Sequence, residues 1–242
     1  MIELPTIQGI IKRRILANYR ADASVVRGLL PSRFEPKLHK DHAIVGICLI
    51  RLEGIRPLHT PKFIGLSSEN AAHRIAVTWT DDDGHGREGV FIPRRDTNSG
   101  LNHLAGGRVF PGEHNLAKFA VADDGNNIDF AMTSEDGKVS VNLKAISTDK
   151  LTPGSIFDSV SAASQYFEGG SLGYSVTRDP AKLDGIILDT KQWHVEPLNV
   201  QEVRSTFYDD PASFPEGSIE FDHALIMRDI AHEWHSHDPL TV

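Results

Sequence analysis

The sequence has little cysteine, no long apolar run and no block of basic residues. Cys48 is the only cysteine among 242 residues, which excludes an internal disulfide and a thiolate metal cage. No apolar run approaches the length of a membrane span, and the first residues lack the charged-then-apolar pattern of a secretory signal. The formal net charge is -8, without the basic stripe of nucleic-acid-binding proteins. We therefore expect a cytoplasmic protein with neither a membrane nor a nucleic-acid partner.

Several enzyme and metal motifs are also missing. There is no serine elbow, phosphate loop or dinucleotide glycine fingerprint. The run of aspartates at residues 81–83 lacks the spacing and closing glutamate of a calcium loop, and it indicates a solvated turn. Imidazoles cluster at residues 232–237, but they lack the His-Glu-x-x-His spacing of a zinc helix. We expect no metal or other cofactor, and a tail that is disordered from about residue 232.

What the chain does have is a succession of short strand patterns. Hydrophobic residues make up 40% and charged residues 24% of the sequence, which is typical of a globular protein with a sizeable core. Alternating or β-branched segments separated by Gly- and Asp-rich turns predict strands, and short helices are expected at residues 23–30, 97–104, 155–167 and 202–208. The pattern is mainly β (α+β) and favours one domain over residues 1–242, either a barrel or a sandwich.

The most informative stretch covers residues 106–119, which combine paired glycines, a Pro-Gly turn and several polar side chains. From His114 onward the residues alternate, so His114 and Lys118 share one face of a predicted strand. A turn that carries His114 to the end of this strand, with Arg108 and Glu113 nearby, would hold a small anionic ligand. An ordinary hairpin with surface charges explains the same residues, and local sequence leaves both interpretations open.

Three segments, in this order, resemble the acetoacetate decarboxylase-like superfamily and, more closely, its uncharacterised bacterial branch. Residues 19–31 are similar to a strand, short helix and Leu-Pro element near the N-terminus. Residues 107–117 resemble the segment that reads GRE…G-x-P-K-K-L-A in the decarboxylases. Residues 167–174, together with 192–198, look like the branch's helix, glycine-containing strand and hh-P-W-x-L region. The resemblance implies a cone-shaped antiparallel β-barrel with a few short peripheral helices, an internal ligand cavity and assembly into a homo-oligomer.

The resemblance also reveals a departure. In the decarboxylases of this superfamily, one of two adjacent lysines forms a Schiff base with the ketone, and its neighbour lowers its pKa. With Leu116 and Ala117 as the anchor, this lysine pair falls on His114 and Asn115. Neither an imidazole nor an amide can form the iminium, so we predict that the chain is not an acetoacetate decarboxylase by the lysine mechanism. Lys118, about 13 Å further along the same strand face, is the alternative amine.

The candidate catalytic residues follow from these considerations. Arg108 would clamp a ligand carboxylate, or else fix the turn through a salt bridge. His114 would act as acid or base, with Glu113 to orient it. Glu69 is a speculative second acid, for which a capping role is the alternative. The ligand-binding candidates are Arg14, Arg94, Arg95, His103 and Trp193.

These observations leave two functions open. The first is a lyase, hydratase or isomerase that acts on a small carbonyl or carboxylate metabolite without a Schiff base. The second is a ligand-binding barrel without chemistry, such as a sensor or carrier. A structural or interaction module with a filled lumen is a third interpretation.

Overall fold

The computed structural model describes residues 6–105 and 112–242, and its strands belong to one 13-stranded sheet. The mainly β class is confirmed. The strands are β1 (Ile7–Asp22), β2 (Glu35–Pro36), β3 (Leu38–His39), β4 (His42–Pro57), β5 (Leu66–Thr80), β6 (Gly86–Thr97), β7 (Asn115–Asp123), β8 (Asn127–Ser134), β9 (Ser140–Ser147), β10 (Leu172–Val176), β11 (Lys182–Thr190), β12 (Glu196–Ser205) and β13 (Ile219–Thr241). The helices are α1 (Ala23–Leu29), α2 (Gly100–Ala105) and α3 (Val160–Glu168), with a 3₁₀ turn at Lys62–Ile64. Each of these helices is too short or too polar to span a membrane.

The sheet closes on itself twice. The larger ring runs through β6, β7, β8, β9, β12, β13, β1, β4 and β5, and the pairing of β5 with β6 closes it. The smaller ring runs through β6, β10, β11, β13, β1, β4 and β5, and the pairing of β11 with β13 completes it. The sheet is mixed, because β6 pairs in parallel with both β10 and β7. This corrects the expectation of a purely antiparallel sheet.

The strands shared by the two rings are buried on both faces. Along β4, alternate side chains enter two different apolar clusters. Ala43, Val45, Ile47 and Leu49 belong to the core of the larger ring, whereas Ile44, Cys48, Ile50 and Leu52 face the other way. A strand with two buried faces needs an almost continuous apolar sequence, which explains the composition of this segment.

Helix α3 covers the second of these apolar clusters. Its N-cap, Ser159, accepts a hydrogen bond from the Ala162 backbone N–H, as Ser commonly does at this position. Ala163 and Phe167 are buried in the cluster. The helix ends at Gly169, so residues 170 and 171 pass close to the smaller ring.

Two segments differ from the sequence-based expectations. Glu202–Ser205, expected to be helical, continue β12 because β9 supplies hydrogen-bonding partners, as in the pairing of Val203 with Leu143. The C-terminal segment was expected to be a solvated, disordered tail from about residue 232. Instead β13 extends to Thr241 between β1 and β11, and the side chain of His232 is buried. Long-range pairing overrides the local polarity in both cases.

Candidate functional site

A pocket of about 110 Å³ lies inside the smaller ring. Every strand of that ring contributes to its wall, and the segment that follows α3 contributes as well. The wall includes His114 and three arginines, together with apolar side chains. One wall residue from each strand of the ring is Arg14, Cys48, Arg74, Arg95, Gly173, Ile186 and Trp234.

The register of the sheet brings the three arginines to one face. Arg95 on β6 lies opposite Ala72 on β5, which in turn lies opposite Cys48 on β4. On β1, Arg14 is two residues from Leu16, which pairs with Cys48. On β5, Arg74 is two residues from Ala72, toward the opposite edge of the ring from Arg14. Because side chains two residues apart share a face of a strand, all three guanidinium groups enter the same space.

These arginines have neutral partners. Arg95 Nε donates to Ser175 Oγ at 2.9 Å, and Arg14 Nε donates to Cys48 Sγ at 3.4 Å. Arg74 donates from Nη2 to Asn18 Oδ1, while its buried Nε has no hydrogen-bond partner among the described residues. Across residues 6–105 and 112–242, none of the three forms a salt bridge with a carboxylate. Buried charges are normally paired, so the pocket carries uncompensated positive charge.

Arg95 keeps its charge near neutral pH. Burial lowers the pKa of Arg95 to about 10, and burial also lowers the pKa of Arg74. Both shifts reflect the cost of a charge that is withdrawn from water. A pKa of about 10 still leaves Arg95 protonated at pH 7, so the pocket is electropositive.

A buried hydrogen-bond chain holds Arg74 in place. Asn18 of β1 and Arg74 of β5 both lie opposite Gly46 of β4, the strand between them. A Cβ at Gly46 would lie 3.1 Å from Asn18 Oδ1. Asn18 Nδ2 lies 3.1 Å from His223 Nε2, and His223 Nδ1 lies 2.6 Å from Asp222 Oδ1. Burial alone would raise the pKa of Asp222, but the hydrogen bond from His223, with others, lowers it to about 2. The ionised Asp222 therefore fixes the His223 tautomer, and through it the Asn18 amide that accepts from Arg74.

His114 reaches the pocket where β6 changes neighbours. Residues 90–92 of β6 pair with β10, whereas Asp96 and Thr97 pair with β7. Residues 112–114 cross the gap between β10 and β7, and the Glu113 N–H donates to the Val176 carbonyl at 2.9 Å. Gly112 has a φ of 87°, a conformation that glycine adopts without strain.

The imidazole of His114 is neutral at physiological pH. Burial, together with the charge of Arg95, lowers its pKa to about 3. Its Nδ1 lies 3.2 Å from the Gly112 carbonyl oxygen. A carbonyl only accepts, so Nδ1 carries the proton and Nε2 is the basic nitrogen.

Other predicted residues lie outside the pocket. Glu113, which was expected to orient His114, and Lys118, the alternative amine, are both exposed. Arg94 forms hydrogen bonds to Asp96 at 2.8 Å and to Asp136 at 3.0 Å, so it belongs to a salt-bridge cluster in the larger ring. Its predicted role in ligand binding stays a prediction. Among the described residues that line the pocket, none is a lysine.

The remaining candidates have supporting positions or fall outside the described ranges. His103 Nδ1 lies 2.6 Å from the His114 carbonyl oxygen and supports the backbone there. Trp193 stacks near Arg14, 5.9 Å from its guanidinium carbon, and lines an adjacent pocket. Glu69 is buried on β5 and pairs with Arg13 at 2.7 Å. Arg108 lies outside the described residues.

Two residues of the site were missed by the sequence interpretation. Arg74 and Asn18 carry no recognisable motif. The available signal was polarity within otherwise apolar strands, since Arg74 precedes the run Ile75, Ala76 and Val77. A charged residue in the buried middle of such a strand indicates a function or a buried ion pair.

Comparisons with known proteins identify the family and the fold. The profile of the DUF2071 family, described as an uncharacterized conserved protein, matches residues 11–209. No curated protein sequence matches the chain. The acetoacetate decarboxylase of Legionella pneumophila superposes with a TM-score of 0.62 at 11% identity, over 98% of this chain and 88% of that one. An acetoacetate decarboxylase-like enzyme from Sphingomonas wittichii RW1 gives 0.58 at 10% identity, over 100% and 94%.

A further solved structure bears on ligands. The enduracididine biosynthesis enzyme MppR, complexed with pyruvate, superposes with a TM-score of 0.57 at 11% identity, over 100% of this chain and 91% of that one. At these identities the likeness establishes a shared fold and nothing about shared activity.

Proposed function

This chain belongs to the DUF2071 family and has an acetoacetate decarboxylase-like fold, and from this premise we propose that its pocket binds a small organic carboxylate. The observation that carries the proposal is the convergence of Arg14, Arg74 and Arg95 on one pocket without a carboxylate partner among the described residues. Guanidinium groups match carboxylates in charge and in hydrogen-bond geometry.

The surroundings of the arginines support an organic ligand over a simple inorganic anion. The rest of the wall includes Ile50, Leu52, Ile92 and Leu188, and small-molecule sites typically combine such apolar walls with a few polar anchors. The pyruvate complex of a protein with the same fold is consistent with this chemistry. The ligand class is therefore a short carbon skeleton that carries a carboxylate.

The same pocket does not favour iminium chemistry. Lys118 is exposed on β7, and the described wall residues include no lysine. An amine must reach the ketone carbon of its substrate to form a Schiff base. We therefore propose binding without covalent attachment to an amine, in keeping with the replacement of the lysine pair by His114 and Asn115.

Calorimetric titration with matched acids and amides tests the proposal. Propionate and pyruvate should bind, whereas propionamide and pyruvamide should bind roughly tenfold or more weakly, because a charged hydrogen bond is worth about 1.5–3 kcal/mol. Equal affinities for acids and amides would contradict the proposal, as would the absence of binding by every acid.

A second candidate function is proton transfer on the bound carboxylate, as in a lyase, hydratase or isomerase. It is favoured by the position of His114 in the pocket wall with a basic Nε2. Its pKa of about 3 makes it a weak base at neutral pH, although a bound anion would offset the charge of Arg95 and raise that pKa. Binding alone is therefore the better-supported function.

Deuterium exchange separates the two candidates. In D₂O, a proton-transfer enzyme should exchange the methyl protons of pyruvate, as followed by ¹H NMR, and a His114→Gln variant should lose that exchange while it still binds pyruvate. With a non-catalytic carrier, the methyl protons of pyruvate should exchange no faster than they do without protein. Borohydride treatment with pyruvate should give no adduct in the mass spectrum. A reduced adduct of pyruvate with a lysine would contradict the argument against iminium chemistry.

A further inference from the structure

We infer that the ligand is a dianion, specifically a short dicarboxylate with one carboxylate at each end of the pocket. This inference rests on the proposed function and narrows its ligand class. A single carboxylate would satisfy one guanidinium group and leave two others in the same confined space. The number and placement of the charged groups both point to a second anionic group.

The charges of the wall residues give the first argument. Arg14, Arg74 and Arg95 contribute three positive charges, and Asp96 is the acidic residue among the described residues of the wall. Asp96 is already bonded to Arg94, which also binds Asp136. This cluster has a net charge of minus one, so the pocket and its cluster together retain two positive charges. A ligand with two negative charges restores neutrality, as buried charge generally requires.

The placement of the arginines gives the second argument. Arg95 is anchored on β6 by Ser175 of β10, close to His114. Arg14 lies on β1, which β4 separates from β5. Its Nε contacts Cys48 of β4. With neighbouring strands about 4.8 Å apart, the anchoring positions on β1 and β6 are three strand spacings apart, roughly 14 Å as measured along the curved sheet. Two cationic regions thus face each other across the pocket.

Arg74 extends the cationic region on the side of Arg14. Arg74 and Arg14 together line a second, smaller pocket, burial and the charge of Arg14 both lower the pKa of Arg74, and the orientation of Arg74 is fixed by Asn18. Its Nε lacks a hydrogen-bond partner although the residue is only 5% exposed. A buried donor without a partner is costly, and a ligand carboxylate is the acceptor that fits its charge.

Apolar side chains occupy the wall between the two regions. Ile50, Ile92 and Ile186 are among them. They offer contact to a hydrocarbon chain and no partner for a polar group. A molecule with charged ends and an apolar middle matches a pocket with two cationic regions and apolar wall residues. Inorganic phosphate or sulfate has no apolar portion to contact those residues.

Isothermal titration with charge-matched pairs tests the inference. The ligands are malonate, succinate and glutarate, each compared with its mono-amide of the same length. The best dicarboxylate should bind about tenfold or more tightly than its mono-amide, because the second carboxylate gains a charge-assisted contact. Arg95→Gln and Arg74→Gln should each reduce that ratio toward one. Arg87→Gln, which alters an exposed arginine of β6, should preserve it.

The outcomes are separable from those of the proposed function. If dicarboxylates and mono-amides bind with equal affinity, the dianion inference is overturned while carboxylate binding stands. If a preference exists but survives both Arg95→Gln and Arg74→Gln, the assignment of the two regions is overturned. If no acid of any charge binds, the proposed function fails together with the inference.

Discussion

Replacement of Arg95 by glutamine is expected to weaken carboxylate binding by roughly thirtyfold or more. The guanidinium group of Arg95 enters the pocket with Ser175 as its anchor. Loss of a charged hydrogen bond to a ligand costs about 2 kcal/mol, which corresponds to that factor. Titration of the Arg95→Gln variant with the best-bound acid measures the change directly.

The same variant should not lose stability in the absence of ligand. In the free protein Arg95 is a buried charge that lacks a carboxylate partner within the described ranges, and its removal relieves a desolvation cost. The midpoint of unfolding in urea should therefore stay the same or rise. Weaker binding together with unchanged or higher stability is typical of a residue retained for function.

The adjacent arginine provides a matched control. Arg94→Gln would leave the buried Asp96 with a weakened partner, and the loss of one partner from a buried ion pair costs about 3 kcal/mol or more. This variant should be less stable, and because Arg94 lies outside the pocket, it should weaken carboxylate binding less than Arg95→Gln does. If Arg94→Gln impaired binding and Arg95→Gln did not, the assignment of the two faces of β6 would be wrong.

Acid pH is expected to destabilise this protein steeply, beginning below about pH 6.5. Burial lowers the pKa of His73 and of His114 to about 3, and that of His232 to about 4. In the unfolded chain each imidazole has a pKa near 6.5. Below pH 6.5 the unfolded state therefore binds protons that the folded state does not, and stability falls as the pH falls.

The size of this effect is large for one domain. Each histidine contributes about 1.4 kcal/mol per pH unit once the pH is below its unfolded pKa and above its folded pKa. Together the three contribute about 4 kcal/mol per unit, and domains typically have only about 5–15 kcal/mol of stability. Urea unfolding midpoints measured at pH 7, 6 and 5 should show the decline.

A single substitution tests the origin of this decline. His73 Nε2 lies 2.9 Å from Ser205 Oγ, and glutamine can keep a polar group near that position without a proton to gain. His73→Gln should reduce the pH slope by about one third, whereas His194→Gln, at an exposed site, should leave it unchanged. Equal stability at pH 5 and pH 7 in the original protein would refute the explanation.

The sequence predicts much of the fold because alternation and turns are local signals. The mainly β class, the meander of β7, β8 and β9, and the two-sided burial of β4 all follow from the periodicity of neighbouring residues. The ring closures do not, since the pairings of β1 with β13 and of β11 with β13 join strands that are separated in the chain by other elements.

The site was predictable only in part for a related reason. His114, Arg95 and Arg14 were identified from a turn, a pair of arginines and a family resemblance, and all three line the pocket. Which of Arg94 and Arg95 enters it depends on an irregularity between His73 and Ile75, opposite Pro93, a residue that cannot donate to the ladder. Arg74 joins them through the pairing of β1, β4 and β5, which no local pattern reveals.

The shared wall between the two rings makes correct strand alignment unusually consequential. Side chains alternate along β1 and β5, so a slip of one residue would swing Arg14 and Arg74 from the pocket into the hydrocarbon interior of the larger ring. Each misplaced guanidinium would lose its hydration with nothing to replace it. The charges that await a ligand in the native protein therefore also penalise misaligned forms, and they help to select a single arrangement while the chain folds.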